Sequence, residues 1–585
     1  MDESPNMIFP PSLQRFLPFL RWFPYSGSAL RADFIAGLTV ALVLVPQSMA
    51  YAQLAGLPPY YGLYAAFLPV MVAALWGSSN QLGTGPVAVV SLLTASALMP
   101  LAAAGSEQFV ALAVMLALMV GIVQLALGLF KLGVVVNFLS HPVIVGFTNA
   151  AAIIIALSQV NKLIGVPMGR SEHFLADIWG VALKAGDTHL PTLAMGTVAI
   201  AFIWGFRRWA PKLPGVLIAV AVTTTAAWLL DFNTTLGGQV VGKVPQGVPS
   251  LSLPAVSWKM FGTLLSTAVV ISLVGFMEAI SIAKAIAAKT RQKIDPNQEL
   301  IGQGLANLVG AATQSFPVSG SFSRSAVNIN SGAITGMSSV FTGLFVLLTL
   351  LFLTPLLYHL PQAVLAAVII MAVVGLLNFG AVKHAWQASR HDGVAAIVTF
   401  IATLAFAPHL DNGILVGASL AIGLYLYRTM RPRVAILGRH ADGSLRDARV
   451  HNLPASDVVT AVRFDGSLYF ANVAYFEDAI LEAVASNPKA KYLLVVGNGI
   501  NELDASGEEV MRHVVERLNA GGITVVFSGL KKQVLDVMRA TGLFDLITQT
   551  NIHATADHAL SFIYEQAGDR HGSDALRPVA LPAAT

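Results

Sequence analysis

A polar stretch with one cation, residues 315–325, lies deep inside apolar sequence. Pro317 and Gly320 interrupt regular structure there, and a helix that starts after them has free N–H groups and a positive dipole end close to Arg324. A charge in apolar sequence is tolerated where protein buries it or where it lines a wet cavity. The stretch therefore predicts an anion-binding site within the membrane. The alternative is a surface loop in which Arg324 reaches the lipid headgroups.

A carboxylate, Glu278, lies inside a second apolar run, residues 273–280. Apolar surroundings disfavour the charged form, so this side chain could exchange between protonated and charged forms. An ionised Glu278 could pair with Arg324 and cancel its potential, whereas protonation would free Arg324 for a dianion. The pair predicts that proton uptake is coupled to anion uptake. The alternative is a fixed salt bridge that joins two helices.

Neutral polar groups accompany these charges. Gln47 and Ser323 have dipoles suited to an oxyanion that keeps its charge, but each could equally satisfy backbone groups freed by Pro46 or Pro317. Tyr51 follows Gln47 by four residues and so shares its helix face, where an aromatic ring is also typical of packing.

The elements that must hold these residues are membrane helices. The 585 residues are 55% hydrophobic and only 11% charged, against roughly 25% charged in soluble domains. About fourteen apolar segments are predicted, several of them too short to span alone. They lie near 34–53, 60–76, 84–100, 108–130, 141–160, 190–208, 213–230, 263–287, 298–312, 321–332, 336–354, 361–378, 393–408 and 413–428.

Composition and motifs also exclude several functions. The net charge of +4 comes without a clustered basic face, so no nucleic-acid partner is expected. The chain has no cysteine, which excludes disulfides, thiolate metal sites and cysteine catalysis. The sequence has no metal-ligand cluster, no nucleophile with an orienting base and no cofactor loop. We therefore expect neither a metal nor a cofactor, and no enzyme activity.

Loop charges predict the orientation, because cytoplasmic loops collect Lys and Arg. Four basic clusters fall on one side if both termini are cytoplasmic. They are Arg207, Arg208 and Lys212; Lys284, Lys289, Arg291 and Lys293; Lys383 and Arg390; and Arg428, Arg431 and Arg433.

A faint repeat divides the membrane region. Residues 46–52 and 277–283 each precede, by about forty residues, a short segment interrupted by Gly and Pro, at 83–87 and at 317–324. The second copy begins an odd number of membrane spans after the first, so the two copies cross the membrane in opposite directions. Paired broken segments in two inverted halves indicate a transporter's site at the membrane midplane. The alternative is that Gly and Pro are simply common in membrane helices.

The flanking regions differ in composition. Residues 1–30 are predicted to form a cytoplasmic, interfacial lead to a transport domain at 31–430, and residues 440–567 to form a soluble α/β domain. We expect the tail, 568–585, to be disordered. The predicted elements of the soluble domain are strands at 458–464, 468–472, 492–496 and 523–527, with helices near 474–486, 506–519, 530–540 and 556–566.

These motifs together resemble the SulP anion-transporter family. The resemblance rests on 59–64, 77–79, 85–93 and 321–325 followed by the α/β domain, and it covers about 30–567. It implies a seven-plus-seven inverted repeat of the uracil-permease type with core and gate parts, a cytoplasmic STAS domain and a homodimer. It also implies elevator-type transport across a cell (inner or plasma) membrane.

Carried over by position, the family's anion pocket falls on six residues: Gln47, Tyr51, Val87, Phe322, Ser323 and Arg324. Val87 stands where some relatives have an aromatic residue, which widens the expected pocket. Asn80 stands where a basic residue is frequent, so one possible anion attractor is missing. The pattern around Glu278 is more similar to that of the family's sulfate/proton symporters than to that of its exchangers.

The loop 501–507 of the α/β domain resembles the Asp-x-Ser-Gly segment of bacterial anti-sigma-antagonist relatives. The resemblance makes Ser506 a candidate regulatory phosphosite. The alternative is a helix N-cap formed by Asp504 or Ser506.

The leading interpretation is proton-coupled import of sulfate or a similar oxyanion. A chloride/bicarbonate or dicarboxylate exchanger and a membrane-anchored anion sensor are the alternatives.

Overall fold

The computed structural model describes residues 9–134, 140–169, 173–210, 213–252, 258–568 and 574–578. The chain divides into two compact units. The division, between Ala421 and Ile422, falls inside a helix that we describe with the first unit.

The first unit is helical. Among the described residues, eight helical stretches are long and apolar enough to cross a membrane, and shorter apolar helices accompany them. Its first half consists of α1 (Pro11–Phe16), α2 (Gly27–Leu54), α3 (Tyr60–Ala65), α4 (Leu68–Trp76), β1 (Gly83–Gly85), α5 (Ala88–Leu98), α6 (Glu107–Leu129), α7 (His141–Ile164), α8 (Phe174–Leu183), α9 (Leu190–Trp209) and α10 (Gly215–Leu229). Its second half consists of α11 (Trp258–Thr290), α12 (Pro296–Ala312), β2 (Ser319–Ser321), α13 (Phe322–Asn330), α14 (Met337–Leu348), α15 (Gln362–Val374), α16 (Phe379–Ala388), α17 (Arg390–Ala405) and α18 (Leu410–Met430).

Short polar side chains fix where several of these helices begin. Ser26 caps α2 by accepting from the N–H of Ala29, and Ser106 caps α6 in the same way. Asp295 caps α12, whose first residue is Pro296. Proline is suited to that position, because its missing N–H would have no partner there.

The order of elements repeats between the halves. The repeated part of each half starts with a long helix, which is α2 (after the short α1) or α11. It continues through a three-residue strand and a short helix, and ends with α10 or α18. This confirms the predicted polytopic membrane fold, and each predicted apolar segment overlaps at least one helix. The segment 60–76 covers two helices, α3 and α4. The helices α8 and α16 were not predicted from the sequence. In α16 no residue is fully buried, and an exposed helix of ten residues gives too weak an apolar signal.

Two strands and one helix organise the interior of the first unit. The helix α12 packs closely against α6 and α4, and α14 packs against α2. The strands β1 and β2 pair with each other, although more than 200 residues separate them in the chain. They bring the two broken segments of the repeat together.

The second unit is an α/β domain. Its six-stranded sheet has the order β4-β3-β5-β6-β7-β8, with β5 to β8 parallel and β3 antiparallel to both of its neighbours. Its elements are β3 (Arg433–Arg439), β4 (Leu445–Asp447), α19 (Ala448–His451), β5 (Val459–Asp465), α20 (Val473–Ala485), β6 (Tyr492–Val496), α21 (Ala505–Ala520), β7 (Thr524–Ser528), α22 (Lys532–Ala540), α23 (Leu543–Ile547), β8 (Ile552–His553) and α24 (Ala556–Ala567).

Three details of this domain differ from the sequence analysis. The sheet begins at Arg433, before the expected boundary at 440. Residues 468–472 do not form a strand: Leu468 makes a single parallel bridge to Leu503, and the chain then turns at 470–472. The Asn472 side chain stabilises this turn by accepting from the N–H of Tyr469 at 3.1 Å. Residues 574–578 of the expected disordered tail pack on the domain, where Leu576 is buried and Asp574 accepts from Tyr564 Oη.

Candidate functional site

The centre of the first unit is the pairing of β1 with β2, which we call the crossing. Three antiparallel pairs form it: Gly83 with Ser321, Thr84 with Gly320, and Gly85 with Ser319. The strands consist of small residues because other backbone lies against them. A Cβ added at Gly320, for example, would be 2.9 Å from Cα of Ala279 in α11.

Two short helices start at the crossing. Val87 precedes α5, and Ser321 is the N-cap of α13, where its hydroxyl accepts from the N–H of Arg324 at 3.5 Å. No side chain caps α5 in the described structure. The first N–H groups of a helix have no acceptor within it, and its dipole makes this end electropositive. The start of α5 therefore offers backbone donors to an anion.

Arg324 lies beside the start of α5. Its side chain is buried, with a residue exposure of 1%, and Nη1 donates to the backbone carbonyl of Pro86 at 2.8 Å. A longer contact of 3.4 Å joins Nη1 to Oε1 of Gln47. Nε and Nη2 are buried without a hydrogen-bond partner among the described residues. A buried guanidinium with two unpaired nitrogens can bind an anion in charge-assisted hydrogen bonds.

Gln47 and Tyr51 belong to α2, and both are 5% exposed. Besides the contact between Gln47 and Arg324, Tyr51 lies within electrostatic range of Arg324 and of Glu278. The structure thus brings both α2 residues to the same charged group.

Glu278 lies on α11, next to the turn that carries β2. Ser319 Oγ donates to the carbonyl of Gly275 at 2.7 Å, which fixes β2 on this helix. Oε2 of Glu278 is buried and has no hydrogen-bond partner in the part of the chain that the structure describes. The carboxylate and Arg324 interact electrostatically, but they are not among the ion pairs within 4.0 Å found in the described residues. This geometry does not support the fixed salt bridge considered from the sequence.

The remaining predicted pocket residues divide between two environments. Val87 is buried, whereas Phe322 is 65% exposed and Ser323 is also exposed. Ser323 Oγ is 3.3 Å from Ser321 Oγ. Phe322 and Ser323 therefore form the open side of the first turn of α13, with Arg324 behind them.

A row of polar side chains on α12, which the sequence analysis missed, holds both broken segments. We call Glu299, Gln303 and Asn307 the polar ladder. Glu299 accepts from the N–H groups of Ser78 and Ser79 at 2.9 and 3.2 Å. Gln303 donates to Thr84 Oγ1 in β1 at 2.8 Å.

Asn307 completes the polar ladder at β2. It accepts from the N–H of Val318 at 2.8 Å and donates to the carbonyl of Val318 at 3.1 Å. The three residues recur every fourth position, on one face of the helix. That spacing of polar residues in an apolar helix is a signal from which the sequence could have predicted the row.

The candidate phosphosite Ser506 is the second residue of α21. The N-cap of this helix is Asp504, which accepts from the N–H of Gly507 at 2.8 Å and from that of Phe470 at 2.9 Å. Of the two cap candidates, the domain uses Asp504. Phosphorylation of Ser506 stays a prediction.

Within the described residues, no group of His, Cys, Asp and Glu could hold a metal ion.

The fold and the crossing define a multi-pass membrane transporter that carries a soluble α/β domain. The chain belongs to the sulfate permease family, whose model matches residues 30–399, and a STAS domain model matches residues 451–559. The predicted family is thereby confirmed. Because the family's members are transporters, the expectation of a protein without enzyme activity is confirmed as well.

Named relatives resemble the chain over most of its length. "Sulfate transporter 4.1, chloroplastic" of Arabidopsis thaliana is 35% identical over 91% of this chain and 79% of its own. The "Sodium-independent sulfate anion transporter" of Bos taurus is 32% identical over 95% of this chain and 92% of its own length. A probable sulfate transporter of Mycobacterium tuberculosis (strain CDC 1551 / Oshkosh) is 31% identical over 92% of this chain and 96% of its own length.

Solved structures share the fold. The overall structure of SLC26A9 matches with a TM-score of 0.88 at 22% identity, covering 96% of this chain and 94% of that one. The transmembrane domain of the cyanobacterial bicarbonate transporter BicA matches with a TM-score of 0.57 at 23% identity, covering 68% of this chain and 98% of that one.

Proposed function

We propose that this protein, an anion transporter by family, imports sulfate or a similar oxyanion. One observation carries the proposal: Arg324 is buried at the electropositive start of α5 with Nε and Nη2 free of partners in the described structure. Leaving such donors buried and unpaired is costly, so a ligand that accepts from them is favoured. A tetrahedral dianion has enough oxygens to accept from the guanidinium and from the N–H groups of α5 together.

The other pocket residues have distinct roles in this proposal. Gln47 holds Arg324, and Tyr51 closes the pocket from the side of α2. Val87 contributes the backbone at the start of α5. Phe322 and Ser323 flank the path by which the anion enters, since both are exposed while their neighbour Arg324 is buried.

Glu278 couples transport to protons in this proposal. In the part of the chain that the structure describes, its Oε2 has no hydrogen-bond partner and no ion pair holds it in one charge state, while it lies in the electrostatic field of Arg324. When Glu278 is charged, it weakens the attraction of Arg324 for an anion. When Glu278 takes up a proton, the site gains net positive charge and binds the dianion.

The transport movement that we propose is of the elevator type. Backbone pairing joins β1 to β2, and the side chains of the polar ladder join α12 to Thr84 of β1 and to Val318 before β2. These elements therefore move together as a core, against a gate that includes α7 and α10. The gate helices belong to the later part of the first half.

The cellular arrangement is part of the same proposal. The protein lies in a cell (inner or plasma) membrane with both termini in the cytoplasm, and it forms a homodimer. The transport domain, within 31–430, carries the anion, and the soluble domain serves dimerisation and regulation through Ser506.

The test is uptake of radiolabelled sulfate into proteoliposomes at two external pH values. We expect inward acid to accelerate uptake without any anion inside the vesicles. Uptake that requires internal chloride, bicarbonate or a dicarboxylate and ignores external pH would contradict proton symport and indicate exchange. Binding without uptake would indicate a sensor.

A further inference from the structure

A crevice of about 710 Å³ lies in the first unit between α2 and α10, closed on its third side by α14 and the residues after it. This volume is within the range of ligand pockets, roughly 300–1,000 Å³. Its wall is mostly aliphatic and includes Val45 of α2 and Ala221 of α10. We call it the first crevice. It is distinct from the pocket around Arg324, although Val45 precedes Gln47 by only two residues.

A second crevice, of about 460 Å³, lies between α11 and α18. The repeat makes these helices the counterparts of α2 and α10, because each pair consists of the first and last helices of its half. Both halves thus leave unfilled space at the equivalent place. Two such spaces at related positions are a property of the architecture and not a local packing fault.

The first crevice is open to the surroundings of the unit. Leu356 and Trp228, which line it, are 67% and 61% exposed. In a unit that spans a membrane, exposed apolar side chains of this kind face lipid, and the molecules available to fill the space are hydrocarbon chains. Water is a poor occupant, since it needs two to four polar partners.

The first crevice also has a few polar groups. Thr224, Thr225 and Thr349 contribute hydroxyls to its wall and His359 an imidazole. Oγ1 of Thr224 is buried without a partner among the described residues. The helix α14 loses its regular geometry here, through a π turn at Thr349–Leu353 and a 3₁₀ turn at Thr354–Leu357. The carbonyl of Leu350 accepts from the N–H of Gly247 at 3.2 Å. Irregular backbone at membrane depth is tolerated where protein buries it or where it lines a cavity.

We propose that the first crevice is a binding site for the acyl chain of a membrane phospholipid. The chain lies against Val45, Ala221 and their aliphatic neighbours, and the Thr224 hydroxyl donates to an ester oxygen of the same lipid. The second crevice has one hydroxyl in its wall, that of Ser266, and less volume, so it retains lipid more weakly.

A bound chain would connect two parts that the transport cycle separates. It contacts α2, which carries Gln47, and α10, which belongs to the proposed gate. Its occupancy therefore opposes sliding between them, and the transport rate becomes dependent on the acyl chain. This consequence rests on the proposed function, whereas the binding itself does not.

The binding test uses the full-length protein in vesicles of phosphatidylethanolamine and phosphatidylglycerol, with a trace of phosphatidylethanolamine that carries a diazirine on one acyl chain. After irradiation, labelled peptides are mapped. We expect label to concentrate on α10 and on 345–357, and native mass spectrometry of the purified protein to detect one retained phospholipid. Label spread evenly over all lipid-facing helices would overturn the proposal.

Variants make the test specific. Ala221→Trp fills the first crevice, and we expect label on 345–357 to fall at least about tenfold, equivalent to about 1.4 kcal/mol. Val222→Trp is the matched control, because Val222 lies on the same helix, is 43% exposed and does not line the crevice. Unchanged label in Ala221→Trp, or an equal loss in Val222→Trp, would refute the site.

Folding and transport are separate readouts. If Ala221→Trp does not fold, the smaller substitution Ala221→Phe replaces it in the same experiment. Each variant is checked for folding by its elution as a single species in size-exclusion chromatography. If wild-type vesicles take up no sulfate, the proposed function fails, while the labelling still decides the lipid site.

Discussion

The guanidinium of Arg324 lies beside Gly85, on the side where any other residue would carry its Cβ. A Cβ added to Gly85 would lie 3.3 Å from Nη2 of Arg324, and Gly85 has a φ of +142°, which side-chain-bearing residues rarely adopt. The glycine therefore permits both the strand conformation and the approach of the cation.

Gly85→Ala is expected to lower the free energy of unfolding by about 1–3 kcal/mol through backbone strain, and to raise the KM for sulfate by displacing Arg324. Thermal unfolding in detergent and uptake measure the two effects. Gly423→Ala is the control, since a Cβ there would contact nothing within 4 Å. If Gly85→Ala and Gly423→Ala had the same unfolding temperature and the same KM for sulfate, a glycine would not be required at residue 85.

Arg324→Lys should reduce sulfate uptake about 30- to 100-fold. An ammonium lacks the rigid planar fork with which the guanidinium holds the Pro86 carbonyl and presents Nε and Nη2 side by side to an anion. Hydrogen bonds to charged groups contribute about 1.5–3 kcal/mol each. Initial rates in proteoliposomes measure the loss, with the exposed Arg207→Lys as control. Wild-type rates in Arg324→Lys would remove this residue from the site.

Glu278→Gln should uncouple uptake from the proton gradient. The amide cannot take up or release a proton, so external acid should no longer accelerate sulfate entry, while downhill sulfate exchange persists. The comparison is the rate ratio at two external pH values, with exposed Glu107→Gln as the matched control. A retained pH response in Glu278→Gln would assign coupling to another group.

Asn307→Leu should lower the free energy of unfolding by about 2–3 kcal/mol, because the N–H and the carbonyl of Val318 lose their buried partners. The shift of Tm in detergent reports the loss. Gln387→Leu, at an exposed position of α16, is the control and should leave Tm unchanged. A Tm of Asn307→Leu equal to that of wild type would mean that water replaces the amide.

We expect His553 to make the soluble domain less stable in acid. Burial lowers the pKa of His553 below 6.5, and Nε2 has no hydrogen-bond partner among the described residues. The unfolded state therefore takes up the proton at a higher pH than the folded state does. The contribution of neutral His553 to the free energy of unfolding is fully present above pH 6.5, and it is lost as the pH falls through the pKa of the folded state.

Amide hydrogen exchange of β7 and β8 at about pH 7.5 and about pH 5.5, corrected for intrinsic rates, measures this effect. We expect weaker protection at the lower pH in wild type and a smaller difference in His553→Gln. His513→Gln, an exposed position, is the control. An identical pH response in wild type and His553→Gln would exclude His553 as the sensor.

Much of the fold followed from the sequence, because long apolar runs are set by the thickness of a bilayer. The predicted segment 141–160, for instance, corresponds to α7, and the strand 492–496 was predicted with its observed bounds. The two broken segments could also be predicted, since Pro317 and Gly320 interrupt helices by local sterics.

The pairing within the site could not be predicted in the same way. Gly83 and Ser321 are partners across more than 200 residues, and three-residue strands have no periodicity to detect. The roles of Asn307 and Asp504 also depend on which backbone group comes within reach, and that is a result of packing. The sequence therefore indicated Arg324 and Glu278 but not what holds them.

The backbone pairing of β1 with β2 limits how such proteins can be engineered and how they can evolve. Each strand supplies hydrogen-bond partners that the other lacks, so neither half of the chain encodes a complete anion site. A chimera that takes one half from a distant relative must preserve the three-residue register as well as its own helices. A chimera that exchanges the whole soluble domain leaves the register of β1 with β2 unchanged.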